Sequence, residues 1–364
     1  MFDDLASSVD PYLVYVALRE RGVHRLDDGR WVVSRAVDVA AVLAHCAARV
    51  ECRRSGDDRL DDVRALMARF SNGVDHVRRR ATATSALAGL GADNFRSRAS
   101  KIAADLLVRA RSDARVGDLD GDDDGGTRVA DGVELVALSR YVVPVVLAEV
   151  LGFADPVATA SAIGVLATAL APRSDKPGPT KAAVGTALSA LLTAAPAALG
   201  GEVAVNLIAL LHQSLDATAG LVASAVLAAA RHDCCGADVA ALVREANRWD
   251  PPVQHTTRIA VDDVALGDIV IAPGERIVVL LAAANRDPNA VDAPDEFRPG
   301  RVERGFAFGA GVHACPGESI ALELATSIVD AVVSAGLRSI STDVHYERRS
   351  NLRIAADLVV APAV

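Results

Sequence analysis

The sequence predicts a mainly α-helical fold with small β-sheets. Long apolar segments have the spacing of buried helix faces, and the longest of them spans residues 203–231. A second helix begins just after Cys315 and presents apolar residues every four positions. Short alternating segments around Ile259 and at Ile277–Val278 predict strands. Helices therefore form most of the core, and the strands form small sheets.

The remaining elements follow from the same spacing and from stop signals. Helices are predicted at residues 12–19, 37–43, 133–151, 158–170, 180–199 and 239–249. Gly22, Gly152 and Gly336 mark helix ends, and Pro251 stops the helix before it. A helix also starts near Asp75, a strand is predicted at residues 31–33, and terminal strands at 339–360.

The composition limits the possible domain organisation and the possible partners of the protein. The 364 residues allow two domains or one large fold, and 51% hydrophobic residues suffice for a large core, in which Ala, Val and Leu replace the scarce aromatics. The net charge of -9 argues against nucleic acid as a partner, because phosphate neutralisation requires a basic face. Residues 111–132 are rich in Asp and Gly but lack the ordered EF-hand pattern, so an acidic loop is expected.

The N-terminus is acidic and shows no secretory pattern, and the apolar runs at 182–199 and 219–230 are interpreted as buried helices. We therefore expect a cytoplasmic protein with no membrane partner. Five cysteines do not make a disulfide framework, and Cys46 and Cys52 are interpreted as ordinary thiols.

One cysteine lies between a glycine-rich turn and a helix start, in residues 308–317. Pro316 suits the first helical position, and Glu318 lies in the first turn. Free amide N–H groups and the positive end of the helix dipole favour a thiolate at Cys315. Such a thiolate serves as a nucleophile, a redox switch or a metal ligand. The Cys and His spacings of zinc sites are absent.

This run resembles the heme-binding loop of the cytochrome P450 family, the heme-thiolate monooxygenases. The family pattern Phe-Gly-x-Gly-x-His-x-Cys-x-Gly is matched by Phe308, Gly309, Gly311, His313, Cys315 and Gly317. The resemblance implies that Cys315 is the proximal ligand of the iron of heme b, and that thiolate ligation favours O–O cleavage. It also implies that His313 hydrogen-bonds a heme propionate and that Phe308 shields the sulfur.

The resemblance covers nearly the whole chain. It implies one domain, residues 1–364, with an insertion at about 112–131, and the cytochrome P450 fold, with heme between the long central helix and the cysteine-ligand helix. His76 and Arg80 share a helical face, and Arg258 lies on a predicted strand. The resemblance assigns all three to the heme propionates. The neighbouring Arg78 and Arg79 point elsewhere and are candidates for docking an acidic electron donor.

The central helix departs from the family pattern Ala-Gly-x-acid-Thr-Thr. Asp216 matches the acid and Thr218 the second Thr, but Ala217 replaces the first Thr and Gln213 replaces the small Ala. The resemblance implies catalytic roles in proton delivery for Asp216, Thr218 and Gln213. Two interpretations stay open. Either Thr218, Gln213, ordered water or the substrate restores an ordinary hydroxylation, or the reaction requires less of a relay, as in radical coupling of phenols or indoles.

Glu245 and Arg248 are three residues apart and can pair on one helix face. The resemblance implies a buried ion pair that supports the heme pocket, with Arg298 or Arg301 as the third partner. It also implies a substrate pocket lined by Leu215, Ala217, Val253, Gln254 and His255, next to residues of the central helix.

The expected function is a soluble, bacterial-type oxidoreductase that activates O2 and oxidises a small organic molecule or a peptide. The resemblance implies a ferredoxin-type electron donor and a natural-product tailoring step, by hydroxylation or by C–C, C–O or C–N coupling. A peroxide-driven oxidase is the alternative enzyme, although the central helix carries uncharged residues where peroxide users often place an Arg. A non-catalytic heme-binding recruitment protein is the alternative from another class.

Overall fold

A computed structural model describes residues 2–51, 56–111, 132–171, 173–197, 200–234 and 236–362. Within these residues the fold is mainly helical with small sheets, as the sequence predicts. The interpretation of Cys52 and the acidic insertion at about 112–131 lie outside the described residues.

The helices fill the core. In chain order they are α1 (Phe2–Leu5), α2 (Tyr12–Arg21), α3 (Ala36–Ala44), α4 (Asp58–Leu66), α5 (Gly73–Ala88), α6 (Ala92–Arg111), α7 (Leu135–Val150), α8 (Pro156–Leu170), α9 (Lys181–Ala194), α10 (Gly201–Arg231), α11 (Val239–Trp249), α12 (Leu281–Ala284) and α13 (Glu318–Ser334). Short 3-10 turns span Ala68–Phe70 and Gly311–His313.

The strands are short and lie in four small sheets. In chain order they are β1 (His24–Arg25), β2 (Trp31–Val33), β3 (Ala48–Arg49), β4 (Val133–Glu134), β5 (Thr256–Ala260), β6 (Val264–Leu266), β7 (Ile269–Ile271), β8 (Arg276–Val279), β9 (Leu337–Ser339), β10 (His345–Tyr346), β11 (Ala355–Ala356) and β12 (Val359–Pro362). The largest sheet has the order β1-β2-β8-β5-β3, in which β2 and β8 are parallel and the other neighbours antiparallel. A three-stranded sheet has the order β4-β12-β9, and β6–β7 and β10–β11 form two-stranded pairs.

The 31-residue helix α10 is the centre of the molecule. It packs against α7, α8, α11 and α13, and most of its residues are buried. Gly220 allows the close approach of the turn after α11, because a Cβ there would lie 2.7 Å from the Cβ of Pro252. This turn carries Val253 and leads into β5, so the close contact fixes one wall of the site described below.

Among the described residues, α10 has the length and apolar composition of a membrane-crossing helix. However, 67% of its apolar window is buried by the rest of the protein. The core helix of a globular protein passes the same test, and the extensive packing of α10 is of that kind.

Two differences from the predicted elements have physical causes. Helix α9 ends at Ala194 rather than at residue 199, because Pro196 disfavours the helical conformation of the residue before it, and Ala195 is extended with ψ 149°. Helix α6 was not predicted. It is anchored by Phe95, Ala99, Ala103 and Leu107, and two of these four are alanines, which give a weak hydrophobic signal.

Candidate active site

The loop before α13 holds Cys315 close to the N-terminus of that helix. Gly309 and Gly311 adopt positive φ angles of 69° and 67°, and the backbone N–H of Cys315 donates to the carbonyl of Phe308 at 2.8 Å. Gly317 is the N-cap residue of α13. The loop therefore turns back on itself and places the sulfur of Cys315 two residues before the N-cap of the helix.

The thiol faces an internal cavity between α13 and α10. Many of the residues predicted for the site share its lining, namely His76, Arg80, Gln213, Ala217, Thr218, Val253, Arg258, Phe308, Gly309, His313, Cys315 and Gly317. Gly311 instead contacts the end of α3, where a Cβ would lie 2.4 Å from the carbonyl oxygen of Leu43. The structure thus brings the cysteine, the basic residues and the central helix to one space.

The protein environment alone does not favour a thiolate. Burial raises the pKa of Cys315, and Glu318 raises it further, whereas the backbone N–H of Gly317, together with Arg80 and Arg69, lowers it. The backbone N–H of Gly317 at the helix start therefore offsets only part of the cost of burial, contrary to the expectation from the sequence. A coordinating metal ion deprotonates a thiol outright, so an iron ligand is the role that suits this position.

Basic residues cluster beside the cysteine loop. Arg80 donates to the carbonyl of Ala314, and the guanidinium of Arg258 donates to the Thr256 hydroxyl at 3.1 Å and the Thr257 carbonyl at 2.8 Å.

Burial, followed by His76, Arg258 and Arg80, lowers the pKa of His313 to about 3. Burial, followed by the positive charge of Arg69, lowers the pKa of Arg258 to about 10. The cluster thus lacks a carboxylate partner among the described residues.

His76 lies within this cluster, but both of its ring nitrogens already contact backbone. Nδ1 is 2.9 Å from the carbonyl of Ala68, and Nε2 is 2.9 Å from the carbonyl of Val312. The ring also lies 3.9 Å from the ring of His313, centroid to centroid. His76 therefore links the 3-10 turn at Ala68–Phe70 to the cysteine loop, and a propionate would have to replace one of these contacts.

The central helix presents one polar face to the cavity. Gln213 donates from Nε2 to the carbonyl of Ala209 at 2.9 Å, and the Ser214 hydroxyl donates to the carbonyl of Leu211 at 2.8 Å. Thr218 is 1% exposed, and its hydroxyl has no hydrogen-bond partner among the described residues. It is thus the central-helix hydroxyl that remains available to a molecule in the cavity.

Asp216 lies on the other side of α10, outside the cavity lining. Its carboxylate accepts from Arg140 at 2.8 Å and contacts Arg349 at 3.1 Å. Arg140 and Arg349 also hold Glu347, at 2.8 Å and 2.9 Å. The predicted relay role requires a carboxylate at the cavity, and helical geometry turns this side chain away from it.

Three predicted pocket residues also lie outside the lining. Leu215 precedes Asp216 on the same buried side of α10. Gln254 is fully buried between Tyr15, whose hydroxyl donates to it at 2.8 Å, and the carbonyl of Pro251, to which it donates at 2.6 Å. His255 is buried as well. Alternation of side chains along the extended segment turns Gln254 away from the cavity, to which Val253 points.

Glu245 and Arg248 form a buried, two-pronged ion pair, with N–O distances of 2.9 Å and 2.7 Å. The third partner is Arg301, whose Nε donates to Glu245 at 3.2 Å. Arg298 contributes its backbone N–H at 2.9 Å, while its guanidinium pairs with Glu296. Arg248 also donates to the Asn285 carbonyl, at 3.0 Å, so the ion pair ties α11 to the segment that precedes the cysteine loop.

The sequence analysis made Arg78 and Arg79 candidates for docking an electron donor. In the structure both side chains pair with Glu202 at the start of α10. Their charges are therefore partly neutralised within the protein.

Sequence reasoning missed several lining residues. Asn206, Leu210, Ser214 and Leu221 lie on the same face of α10 as Gln213 and Ala217. Their spacing of three, four or seven residues from the predicted positions was the available signal. Arg69 also lines the cavity, in the 3-10 turn, and no motif marks it.

The residues present fit a heme group on three grounds. A single thiol faces the cavity, basic side chains without carboxylate partners lie beside it, and a Cβ at Gly317 would meet nothing closer than 4.0 Å, so the glycine leaves room on the cavity wall. No cluster of three or more His, Cys, Asp or Glu side chains suited to another metal occurs in the described ranges. The donor set thus suits one axial sulfur with two anionic carboxylates nearby.

Comparison with known proteins agrees with this geometry. A family model described as Cytochrome P450 matches residues 239–332, which include Glu245, Arg248 and Cys315. A putative cytochrome P450 133B1 from Xylella fastidiosa is 31% identical over 174 residues. That match spans 44% of this chain and 42% of the relative.

Solved structures extend the similarity to the whole fold. The structure of P450BioI in complex with hexadec-9Z-enoic acid ligated acyl carrier protein has a TM-score of 0.79, is 21% identical, and is matched over 99% of this chain and 100% of that one. The structure of CxnD, a cytochrome P450 enzyme for C–S bond formation in chuangxinmycin biosynthesis, has a TM-score of 0.74, is 17% identical, and is matched over 97% of this chain and 94% of that one. Residues 239–332 thus match the cytochrome P450 family, whose proteins bind heme b through a cysteine thiolate, and the described fold as a whole is similar to that of solved cytochrome P450 structures.

Proposed function

We propose that this protein is a heme-thiolate monooxygenase that activates O2 and oxidises a small organic molecule in a natural-product tailoring step. The position of Cys315 carries this proposal, because its sulfur faces a cavity whose opposite wall is the central helix. Bound heme b supplies the oxidising chemistry, and the protein supplies binding, orientation and electrostatics. A ferredoxin-type donor would supply electrons, and the cytoplasm is the compartment we propose.

The residues divide into three roles. Cys315 would hold the iron, while Arg80, Arg258 and His313 would hold the propionates, with Phe308, Gly309 and Gly317 forming the wall around the ligand. Apolar side chains of the lining would bind the substrate body. The structural neighbour CxnD supports natural-product tailoring as a class, because it acts in C–S bond formation in chuangxinmycin biosynthesis.

Proton delivery would use Thr218, whose hydroxyl is buried and unpartnered at the cavity, with Gln213 and ordered water beside it. Asp216 would not deliver a proton directly, because Arg140 and Arg349 hold its carboxylate away from the cavity. Its role would be to position the central helix. Ala217 faces the cavity without a hydroxyl. Hydroxylation and oxidative coupling therefore both remain within the proposal, and a substitution separates them.

Turnover of the heme-loaded protein tests the activity. We expect product formation with O2, NADPH, ferredoxin reductase and a ferredoxin, and little product with hydrogen peroxide alone. The result that contradicts the proposal is full turnover with peroxide and none with the electron donors, which would identify a peroxide-driven oxidase.

The Ala217→Thr variant tests which reaction the site performs. A hydroxyl at this position restores the family pattern, so we expect hydroxylated product to rise and coupled product to fall if coupling is native. Product analysis by mass spectrometry on one substrate measures both. If hydroxylation rises and coupling does not fall, the missing hydroxyl is not the basis of a coupling reaction.

A further inference from the structure

Arg69 is a cation at the cavity that the heme-binding residues leave unexplained. It lies in the 3-10 turn between α4 and α5 and lines the cavity with Phe70. Among the described residues its side chain forms no ion pair or hydrogen bond, and its guanidinium carbon lies 5.6 Å from the centroid of the Phe70 ring. Arg69 is exposed and lines the cavity, so its guanidinium can bind a ligand there.

The turn that carries Arg69 is held in place from two sides. The Asn206 side chain accepts from the Ala68 N–H at 2.8 Å and donates to the Leu66 carbonyl at 3.1 Å. His76 contacts the Ala68 carbonyl at 2.9 Å. Asn206 and His76 are both buried. The backbone beside Arg69 is therefore preorganised, which lowers the entropic cost of binding through this side chain.

The charges around the cavity leave Arg69 without a counterion. Among the described residues that line the cavity, Glu51 is the acidic one, and it pairs with Arg276 at 2.8 Å. The two heme propionates balance two positive charges, and the family resemblance assigns Arg80 and Arg258 to them. The positive charge of Arg69 then has no anionic partner among these groups.

The residues around Arg69 show the same excess of positive charge. Arg64 lies nearby, with its guanidinium carbon 4.8 Å from the Phe70 ring centroid and a buried Nε that has no partner among the described residues. Burial and Arg64 lower the pKa of Arg69, and burial and Arg69 lower the pKa of His212 to about 3. A bound anion would relieve this repulsion.

We infer that Arg69 binds an anionic group of the substrate, so that the protein selects organic acids with an apolar body over their neutral analogues. A carboxylate suits the planar guanidinium, which offers two parallel N–H donors. Phe70, Leu210 and Val253 supply apolar lining for the rest of the molecule. This inference rests on the proposed function, because it names the substrate class of the same cavity.

Binding titrations of the ferric, heme-loaded protein test the inference. The probes are matched sets of carboxylic acids, methyl esters and primary amides, as straight chains of six to sixteen carbons and as phenyl- and naphthylalkanoic acids. The Soret shift on ligand entry gives the Kd of each. We expect the best acid to bind at least about ten-fold more tightly than its ester and amide, since hydrogen bonds to a charged group are the strong ones. Equal binding of acids and esters across all sets overturns the inference.

Three variants assign the preference to one side chain. We expect Arg69→Met to abolish the difference between acid and ester, and Arg69→Lys to retain part of it. Arg64→Met is the matched control, because Arg64 contacts the same phenyl ring but lies outside the lining. It should change the ratio less than three-fold. An unchanged ratio in Arg69→Met overturns the inference.

The heme content of Arg69→Met separates a substrate role from a cofactor role. We expect full heme content and an unaltered reduced, carbon monoxide-bound spectrum. Loss of heme from this variant would show that Arg69 binds a propionate, which overturns the inference. If the wild-type protein lacks the thiolate spectrum, the proposed function itself fails, whereas a normal spectrum without acid preference removes the inference alone.

Discussion

Gly311 shows how one residue shapes the cysteine loop. Its φ angle is +67°, and a Cβ would lie 2.4 Å from the Leu43 carbonyl oxygen and 3.1 Å from its carbon, which belong to the backbone at the end of α3. Such a contact moves only if the loop or the helix moves. The residue therefore fixes the distance between the cysteine loop and the N-terminal half of the protein.

We expect Gly311→Ala to lower the free energy of unfolding by about 3 kcal/mol or more, because backbone strain and overpacking add. Gly309→Ala is the matched control. Its φ angle is nearly the same, +69°, but the nearest atom to its Cβ is 3.7 Å away. It should cost about 1–2 kcal/mol, from strain alone. Urea unfolding of both heme-loaded variants measures the difference, and equal losses would contradict the role given to Leu43.

At this scale the sequence was informative where a motif fixes the spacing and less so elsewhere. The cysteine, Gly309, Gly317 and the basic residues His76, Arg80, Arg258 and His313 were named from pattern, and the structure places them around one cavity. Asp216 and Leu215 were named from the family register of the central helix, yet three-dimensional packing decides which helix face borders the cavity. Arg69 had no signal, because a short turn has no period from which to infer a direction.

Among the elements, α11 and the segment before the cysteine loop are joined by Glu245, Arg248 and Arg301. Arg301 is 7% exposed at its side chain and donates to Glu245 and to the carbonyls of Asp292 and Ala293, at 2.7 Å each. Arg298 is 46% exposed, and within the described part of the chain its side chain forms ion pairs with Glu296 and Asp292. The sequence left these two arginines as alternatives, because residues in an irregular segment have no face that spacing can identify.

We therefore expect Arg301→Ala to lower the free energy of unfolding by about 3 kcal/mol, since a buried carboxylate and two carbonyls lose donors. Arg298→Ala should cost less than about 0.5 kcal/mol, because exposed ion pairs contribute little. Both are measured by urea unfolding of the heme-loaded protein. A loss for Arg298→Ala as large as that for Arg301→Ala would reverse the assignment.

A second buried network links α7, α10 and the segment near the C-terminus. Glu347 is 3% exposed, accepts from Arg140 at 2.8 Å and from Arg349 at 2.9 Å, and forms an ion pair with Arg173 at 3.1 Å. Burial by itself would raise the pKa of Glu347, but these arginines, with Arg140 foremost, lower it to about 2. The ionised carboxylate therefore stabilises the fold above the unfolded-state pKa of about 4.3, and this stabilisation is lost as the pH falls towards 2.

The pH dependence of Glu347→Gln follows from this sign. The variant should be about 3 kcal/mol less stable than wild type from pH 7 to pH 5, because three arginines lose their anionic partner. The gap should narrow steadily below about pH 4.3, as wild type also becomes protonated. Urea unfolding at each pH measures it, with the exposed Glu303→Gln as the control that stays within about 0.5 kcal/mol of wild type. A gap that widens on acidification would contradict the network.

Over the whole molecule, the architecture was more predictable than its details. Helical spacing predicted the long helices, and α11 matches its predicted range at both ends. Strand β2 does as well. Helix ends, the alanine-rich α6 and the sheet order were less accessible, since they depend on tertiary packing rather than on local period. The same holds for the cavity, whose lining residues come from helices, turns and strands far apart in the chain.

The account depends on the sulfur of Cys315 as the ligand of the heme iron, and the reduced, carbon monoxide-bound absorption spectrum tests this most directly. We predict that the heme-loaded protein shows the Soret band at the position typical of thiolate ligation, and that Cys315→Ala loses this band while retaining the folded helical content by circular dichroism. A wild-type spectrum without the thiolate band, or a Cys315→Ala variant with the wild-type spectrum, would contradict the account.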